Sequence, residues 1–268
     1  MGSYLGQNFL MNKSKLRKIA DVLELKKGDT VIEIGPGHGE LTEKIIEKLK
    51  DLKIEKFRII AIEKDVKLIK NLEFRIKDLG LDKNIKVIEG DALKILSALS
   101  ESFKFQVSSF KIIGNIPYYI TGYLLRTISE LKFKPEIVVL TIQKEVAQRI
   151  CAQPPKMNLL AASVQFWAEP KIIGYISKKD FRPAPKVDSA IVKLVIKQLS
   201  NYEITRLPNY YRFIKILFKQ PRKTILNNLC AAKNTNTDGC RDKLLETGIN
   251  PSGRPQNLTI GQIKNLSI

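Results

Sequence analysis

Thr30-Val31-Ile32-Glu33-Ile34-Gly35-Pro36-Gly37-His38-Gly39 decides the fold. Its β-branched start reads as a short buried strand, and the glycines that follow read as a tight turn into a helix. That helix carries Ile45, Ile46, Leu49 and Leu52 on one face and Lys/Glu elsewhere. The unit then recurs. Residues 57–62 predict a second strand, and Leu68, Leu72, Ile76 and Leu79 mark a helix that stops at Gly80. Residues 85–89 and 111–114 predict a third and a fourth strand, 122–132 a helix, 136–142 a fifth strand and 144–151 a further helix. Alternation of this kind from about residue 14 to 151 predicts a parallel α/β sheet with right-handed crossovers. Two β-rich stretches, 162–177 and 189–197, are expected to complete it with an antiparallel edge. Beyond about residue 200 the pattern is helical, with apolar faces in 210–218, 224–232 and 258–266. The expected division is a sheet domain over 1–198 and a small helical domain over 199–268.

The chain has 268 residues and a formal net charge of +19, which points to a polyanionic partner. Nucleic acid is the first candidate and an anionic membrane surface the second. The excess is denser toward the end, where residues 201–268 carry 11 Lys/Arg against 4 Asp/Glu. No run of about 18 apolar residues is present, so no membrane span is expected. Met1-Gly2-Ser3 reads as a cloning remnant, and no secretory leader is expected. Cys151, Cys230 and Cys240 are odd in number and form no Cys-x-x-Cys, which predicts a reducing, cytoplasmic setting. With His38 the only histidine, neither a His/Cys zinc site nor a Ser-His-Asp triad is expected. The chemistry must come from other groups, and no metal is expected.

Gly35-Pro36-Gly37-His38-Gly39 departs from the dinucleotide fingerprint, because Glu40 stands where its third glycine belongs. The Lys-Ser/Thr of a phosphate-binding loop is also missing. Glu63 ends the second strand, where a carboxylate can accept from ribose hydroxyls. Asp91 ends the third, in Gly90-Asp91-Ala92, where it can accept from an adenine amine while neighbouring backbone pairs with the ring. Singly, each is equally a turn or an acidic residue at a helix start. Together, at three successive strand ends, they suit an adenosine-bearing ligand without a pyrophosphate, and S-adenosylmethionine fits. Asn115-Ile116-Pro117-Tyr118 follows the fourth strand into the same crevice. An Asn oxygen and a backbone carbonyl held by Pro117 can accept both N–H groups of an exocyclic adenine amine. That favours rehybridisation of its delocalised lone pair. Tyr118 offers a face on which an unpaired or flipped base can stack.

These motifs resemble the KsgA/Dim family of small-subunit rRNA adenine dimethyltransferases, over roughly residues 4–260. The likeness runs through Gly6-Gln7-Asn8-Phe9-Leu10, Glu33-Ile34-Gly35-Pro36-Gly37 and Asn115-Ile116-Pro117-Tyr118. Its most specific stretch is Phe181-Arg182-Pro183-Ala184-Pro185-Lys186-Val187-Asp188-Ser189-Ala190, and Arg222-Lys223-Thr224 and Arg254-Pro255 extend it. The resemblance implies a class I methyltransferase (Rossmann-like) sheet with a helical, rRNA-binding C-terminal domain. It implies dimethylation of two neighbouring adenosines near the 3′ end of small-subunit rRNA, in a pre-ribosomal particle, by a monomer. It carries cofactor contacts to Asn8, Leu10, Gly35, Glu63, Asp91 and Asn115, with Gln7 and Phe9 covering the cofactor. It gives the target adenine to Asn115, Tyr118 and, on its other face, Phe181. Arg222 and Lys223 are expected at rRNA phosphates. Tyr119 departs from the family, which often has Asn there.

Three other functions share parts of this pattern: a resistance-type methyltransferase of large-subunit rRNA, a DNA or protein-glutamine methyltransferase, and a non-catalytic assembly or transcription factor. The C-terminal matches speak against the first, Ile116 against the second, and the intact Glu63, Asp91 and Asn115 against the third.

Overall fold

A computed structural model describes residues 7–103, 107, 109–233 and 237–267; Gly6, in the N-terminal stretch of the resemblance, lies outside them. In chain order the elements are β1 (Phe9–Leu10), α1 (Lys13–Asp21), β2 (Thr30–Ile34), α2 (Glu40–Asp51), β3 (Arg58–Glu63), α3 (Val66–Asp78), β4 (Ile85–Glu89), α4 (Ala92–Phe103), β5 (Phe110–Asn115), α5 (Thr121–Glu130), β6 (Ile137–Gln143), α6 (Lys144–Ile150), α7 (Leu159–Gln165), β7 (Ala168–Ile176), β8 (Phe181–Arg182), β9 (Ser189–Ile196), α8 (Asn201–Leu217), α9 (Ile225–Lys233), α10 (Thr237–Glu246) and α11 (Ile260–Leu266). The chain divides into two compact units. One runs to Ala147 and includes Lys171–Ile196; the other joins Gln148–Pro170 to the residues from Lys197 onward. The sequence reading, by contrast, cuts the chain once, after residue 198.

In the first unit the strands lie in the order β4-β3-β2-β5-β6-β9-β7. The pairs β2/β3, β3/β4, β2/β5 and β5/β6 are parallel, and β9 runs antiparallel to β6, as the pattern predicts. The order reverses between β2 and β5, so their carboxyl ends part and open the crevice where ligands of open α/β sheets bind. Both faces of the sheet are covered. Val31, Ile59, Ala61, Ile113 and Val139 pack with Ile19, Ile45, Leu49 and Leu72, while the alternate residues Ile32, Ile60, Ile112 and Val138 are buried too. At the start of β5 a fully buried Lys111 donates to the Asp29 carboxylate at 2.7 Å and to the Glu24 carbonyl at 2.6 Å. The buried ammonium is thereby paired, at the end of the strand away from Asn115.

In the second unit Tyr210 donates to the Ala162 carbonyl at 3.0 Å, and its ring lies 4.3 Å from that of Phe166. Trp167 is buried beside them in the sequence, and Lys264 sits over the Phe166 ring. The expected strand over 162–177 is corrected here. Its first residues belong to α7, because Asn158 accepts from the Leu160 and Ala161 N–H groups and Leu-Leu-Ala-Ala then favours a helix. Extended structure begins only at Ala168. The helical reading from about residue 200 meets α8, which begins at Asn201 and carries the apolar face expected in 210–218. Ser200 and Glu203 form a capping box there, and Pro208 lies inside the helix. Among the described residues no helix is long and apolar enough to cross a membrane.

Candidate active site

Gly35 and Gly37 leave β2 with φ of 65° and 61°, in the left-handed region that glycine tolerates. A Cβ on Gly35 would meet nothing within 4 Å, because the residue borders open cavity. A Cβ on Gly37 would lie 2.9 Å from the Phe9 ring, which covers this turn and also stacks, tilted, on His38. The turn is thus bare on its cavity side and roofed by an aromatic ring.

Glu63, at the end of β3, is buried. Its Oε2 accepts from the Gly37 N–H at 3.1 Å, and its Oε1 from the Lys64 and Asp65 N–H groups at 2.8 and 2.9 Å. A carboxylate has about four acceptor positions, so one remains on Oε2. One ribose hydroxyl fits there directly; a second would share the place of the Gly37 amide. Asp91, after β4, caps α4 by accepting from the Leu93 N–H at 2.9 Å with Oδ1. Its Oδ2 lies 3.7 Å from the Lys64 ammonium. Asp91 therefore fills both readings, a helix cap and a wall of the cavity.

Asn115 ends β5. Its Nδ2 donates to the Asn8 carbonyl at 3.0 Å, so Oδ1 is the end of the amide left to accept from a ligand. Ile116 is buried and anchors the loop, and Pro117 leads into a 3-10 turn over Tyr118–Ile120. The Tyr118 hydroxyl shares a 2.7 Å hydrogen bond with Ser189 Oγ on β9. Burial holds the Tyr118 pKa above its ordinary value against that bond, so it is a neutral phenol at physiological pH. Two-residue strands β1 and β8 pair antiparallel, Phe9 opposite Arg182 and Leu10 opposite Phe181. The N-terminal segment thus touches the glycine turn, the β5 loop and the Phe181 segment at once.

One cavity of about 370 Å³ brings together Gln7, Asn8, Leu10, Gly35, Gly37, Glu63, Asp91, Ala92, Asn115, Pro117, Tyr118 and Phe181. Phe181 is only 2% exposed and packs with Leu10, so it stands in the wall with little of its ring uncovered. Arg222 and Lys223 are not among the residues that line this cavity. They are exposed in the turn between α8 and α9, not on a helix. Sequence reasoning missed the Asn8 carbonyl as the group that orients Asn115, and Ser189 as the partner of Tyr118. Backbone partners leave no side-chain signature, and Ser189 entered only as part of the Phe181–Ala190 match. It also missed the state of Glu33. This carboxyl is wholly buried, accepts from Thr42 Oγ1 at 2.7 Å, and leaves Oε1 without a partner. Burial pushes its pKa up to about 7, opposed by the Thr42 bond and aided by Glu40 and Glu63.

The residues present fit S-adenosylmethionine: an open glycine cradle, a buried carboxylate with an acceptor position left and a second carboxylate beside Ala92, while among the described residues Lys64 is the one cation that lines the cavity. Residues 2–268 match the family model described as ribosomal RNA adenine dimethylase. The chain is 36% identical over 264 residues to ribosomal RNA small subunit methyltransferase A of Dehalococcoides mccartyi, covering 98% of this chain and 86% of that protein. It is 33% identical to the protein of that name from Caldanaerobacter subterraneus, covering 98% and 94%. Among solved structures, a dimethyladenosine transferase from Plasmodium falciparum superposes with a TM-score of 0.75 at 27% identity, over 96% of this chain and 95% of that one. The 23S rRNA methyltransferase ErmE gives 0.72 at 22% identity, over 97% and 98%, which shows the shared fold. The match over nearly every residue places the chain in the ribosomal RNA adenine dimethylase family, whose members draw their methyl groups from S-adenosylmethionine.

Proposed function

We propose that this rRNA adenine dimethyltransferase modifies the exocyclic amines of two adjacent adenosines near the 3′ end of small-subunit rRNA. We assign it to a pre-ribosomal particle in the cytoplasm, acting as a monomer. The orientation of Asn115 carries the reading: with Nδ2 held by the Asn8 carbonyl at 3.0 Å, the side chain presents an acceptor to the cavity. The relatives named as small-subunit enzymes support this subunit over the large one.

When bound, S-adenosylmethionine supplies an electrophilic sulfonium methyl group. Glu63 takes a ribose hydroxyl, Asp91 and the Ala92 backbone take the adenine edge, and Gln7, Asn8 and Leu10 close the cavity. For the target, Asn115 Oδ1 accepts one amine N–H and the Ile116 carbonyl, held by Pro117, accepts the other. This draws the nitrogen out of conjugation and directs its lone pair. Tyr118, neutral and steadied by Ser189, stacks on the base, and Phe181 closes the far side once its ring is uncovered. Residues 1–198 are assigned to donor and base, and 199–268 to rRNA through Arg222 and Lys223. The test is incubation with labelled donor and unmethylated small subunits, then mapping of modified nucleotides, with large subunits and bare DNA as controls. Label at the paired adenosines of small subunits is expected; label confined to either control rejects the reading.

A further inference from the structure

Two large aromatic side chains at the rim of the cavity remain without a role. Tyr119 is 62% exposed and Tyr123 70% exposed, and both line the same cavity as Asn115 and Tyr118. They stand four residues apart where the 3-10 turn that holds Tyr119 passes into α5, which holds Tyr123. Their exposure is enforced from behind. Thr121, Leu124, Leu125 and Ile128 are buried on the opposite face, so α5 cannot roll to cover the tyrosines without uncovering its core side. Between them Gly122 adds no side chain, and a Cβ there would meet nothing within 4 Å. The rim therefore carries two exposed aromatic rings with Ile120 between them in the cavity wall, and Gly122 adds no side chain beside them. A flat group can lie on it.

We infer that Tyr119 and Tyr123 form a stacking platform for the unpaired nucleobase next to the one seated in the crevice. The inference rests on the reading of that crevice as the place of an extruded adenine. A base drawn into the cavity brings its chain neighbour to the rim, stripped of its own stacking partner. An aromatic face restores that stacking without regard to sequence. With adjacent adenosines as substrate, the platform holds one while the other reacts, and the two then exchange places. Tyr119 and Tyr123 are positioning residues in this scheme, since neither touches the reacting amine.

The experiment compares Tyr119→Ala, Tyr123→Ala and the double variant with Tyr119→Phe and Tyr123→Phe, all in the full chain. Steady-state methylation of unmethylated small subunits is measured alongside calorimetric titration of the donor. Each Ala variant is expected to lower kcat/KM for the subunit about tenfold, mainly through KM, and the double variant further. The Phe variants keep the ring face and are expected within about twofold of the parent. Donor affinity stays unchanged throughout. Mapping is also expected to show the double variant stalled with one adenosine of the pair modified. Ala variants with parental kcat/KM, or Phe variants that lose as much as Ala, overturn the platform. Asn115→Ala run in parallel separates the two readings. If it is inactive while the tyrosine variants are normal, the platform alone fails; if it turns over normally, the crevice reading fails first.

Discussion

The side-chain amide of Asn115 is oriented by the backbone carbonyl of Asn8, 107 positions earlier in the chain, through a 3.0 Å hydrogen bond. An amide can donate at one end and accept at the other, and this bond fixes which end faces the cavity. Asn115→Asp cannot donate to the Asn8 carbonyl and places a charge beside it. Methylation is expected to fall about a hundredfold to a thousandfold, the range for loss of one preorganised hydrogen-bonding group. Asn115→Ala is expected to be similarly inactive with donor affinity within a few fold. Single-turnover methylation and calorimetry check both, and unchanged turnover would discard the positioning mechanism.

Glu63 accepts three backbone N–H bonds while facing the donor site. Glu63→Ala removes the proposed ribose contact and frees the Gly37 amide. Donor affinity is expected to drop about tenfold or more, as for loss of a charged acceptor. A calorimetric titration that matches the parent protein would remove the ribose role.

The Ser189 hydroxyl bonds the hydroxyl of Tyr118, the residue assigned to stack on the target base. Ser189→Ala is expected to raise KM for the subunit by less than about tenfold, the net worth of one hydrogen bond, with kcat nearly kept. Tyr118→Ala is expected to cost more in both. Equal effects from the two would mean that Ser189 acts on the site by another route.

Glu33 predicts a pH dependence of stability. Its folded pKa, about 7, lies above the ordinary 4.5. Below pH 4.5 both folded and unfolded chains hold the proton. From there to about pH 7 only the folded chain holds it, so the contribution of Glu33 to stability falls as pH rises, and above 7 the full loss persists. The loss is roughly 3 kcal/mol. Glu33→Gln abolishes the titration and keeps an acceptor for Thr42. The stability gap between variant and parent is expected to widen from pH 4.5 to 7 and then level off in urea titrations. A gap independent of pH would show that the carboxyl is not protonated in the fold.

Arg222 and Lys223, exposed in the turn before α9, are assigned to rRNA phosphates. Replacing both with Ala is expected to flatten the plot of log affinity against log salt by about 1.5 in slope, the yield of two released counterions. An unaltered slope would leave them as solvated surface.

The parallel core was legible because its strands are short apolar runs, four of which stop at or just before Gly35, Glu63, Asp91 and Asn115, and α2 and α3 repeat their apolar residues with helical spacing; α4 is not read from the sequence. The crevice was legible for the same reason, since its groups sit at strand ends. The losses have local causes. Leu159–Gln165 is too short and too apolar for its periodicity to separate a helix from a strand, and only the Asn158 cap gives it away. Strands of two residues, such as Phe9–Leu10 and Phe181–Arg182, carry no alternation at all. The meeting of Asn8 with Asn115, and of Tyr118 with Ser189, depends on tertiary approach that spacing does not encode.

The ladder between β1 and β8 has a bearing on biosynthesis. A nascent chain that has emerged as far as residue 150 already owns the glycine turn, both carboxylates and Asn115. It lacks the partners of Phe9 and Leu10, which come 173 and 171 positions later in the polypeptide. Those two residues therefore lack their ladder until translation has passed Arg182, and the cavity wall they share with Phe181 is finished among the last steps of folding this unit.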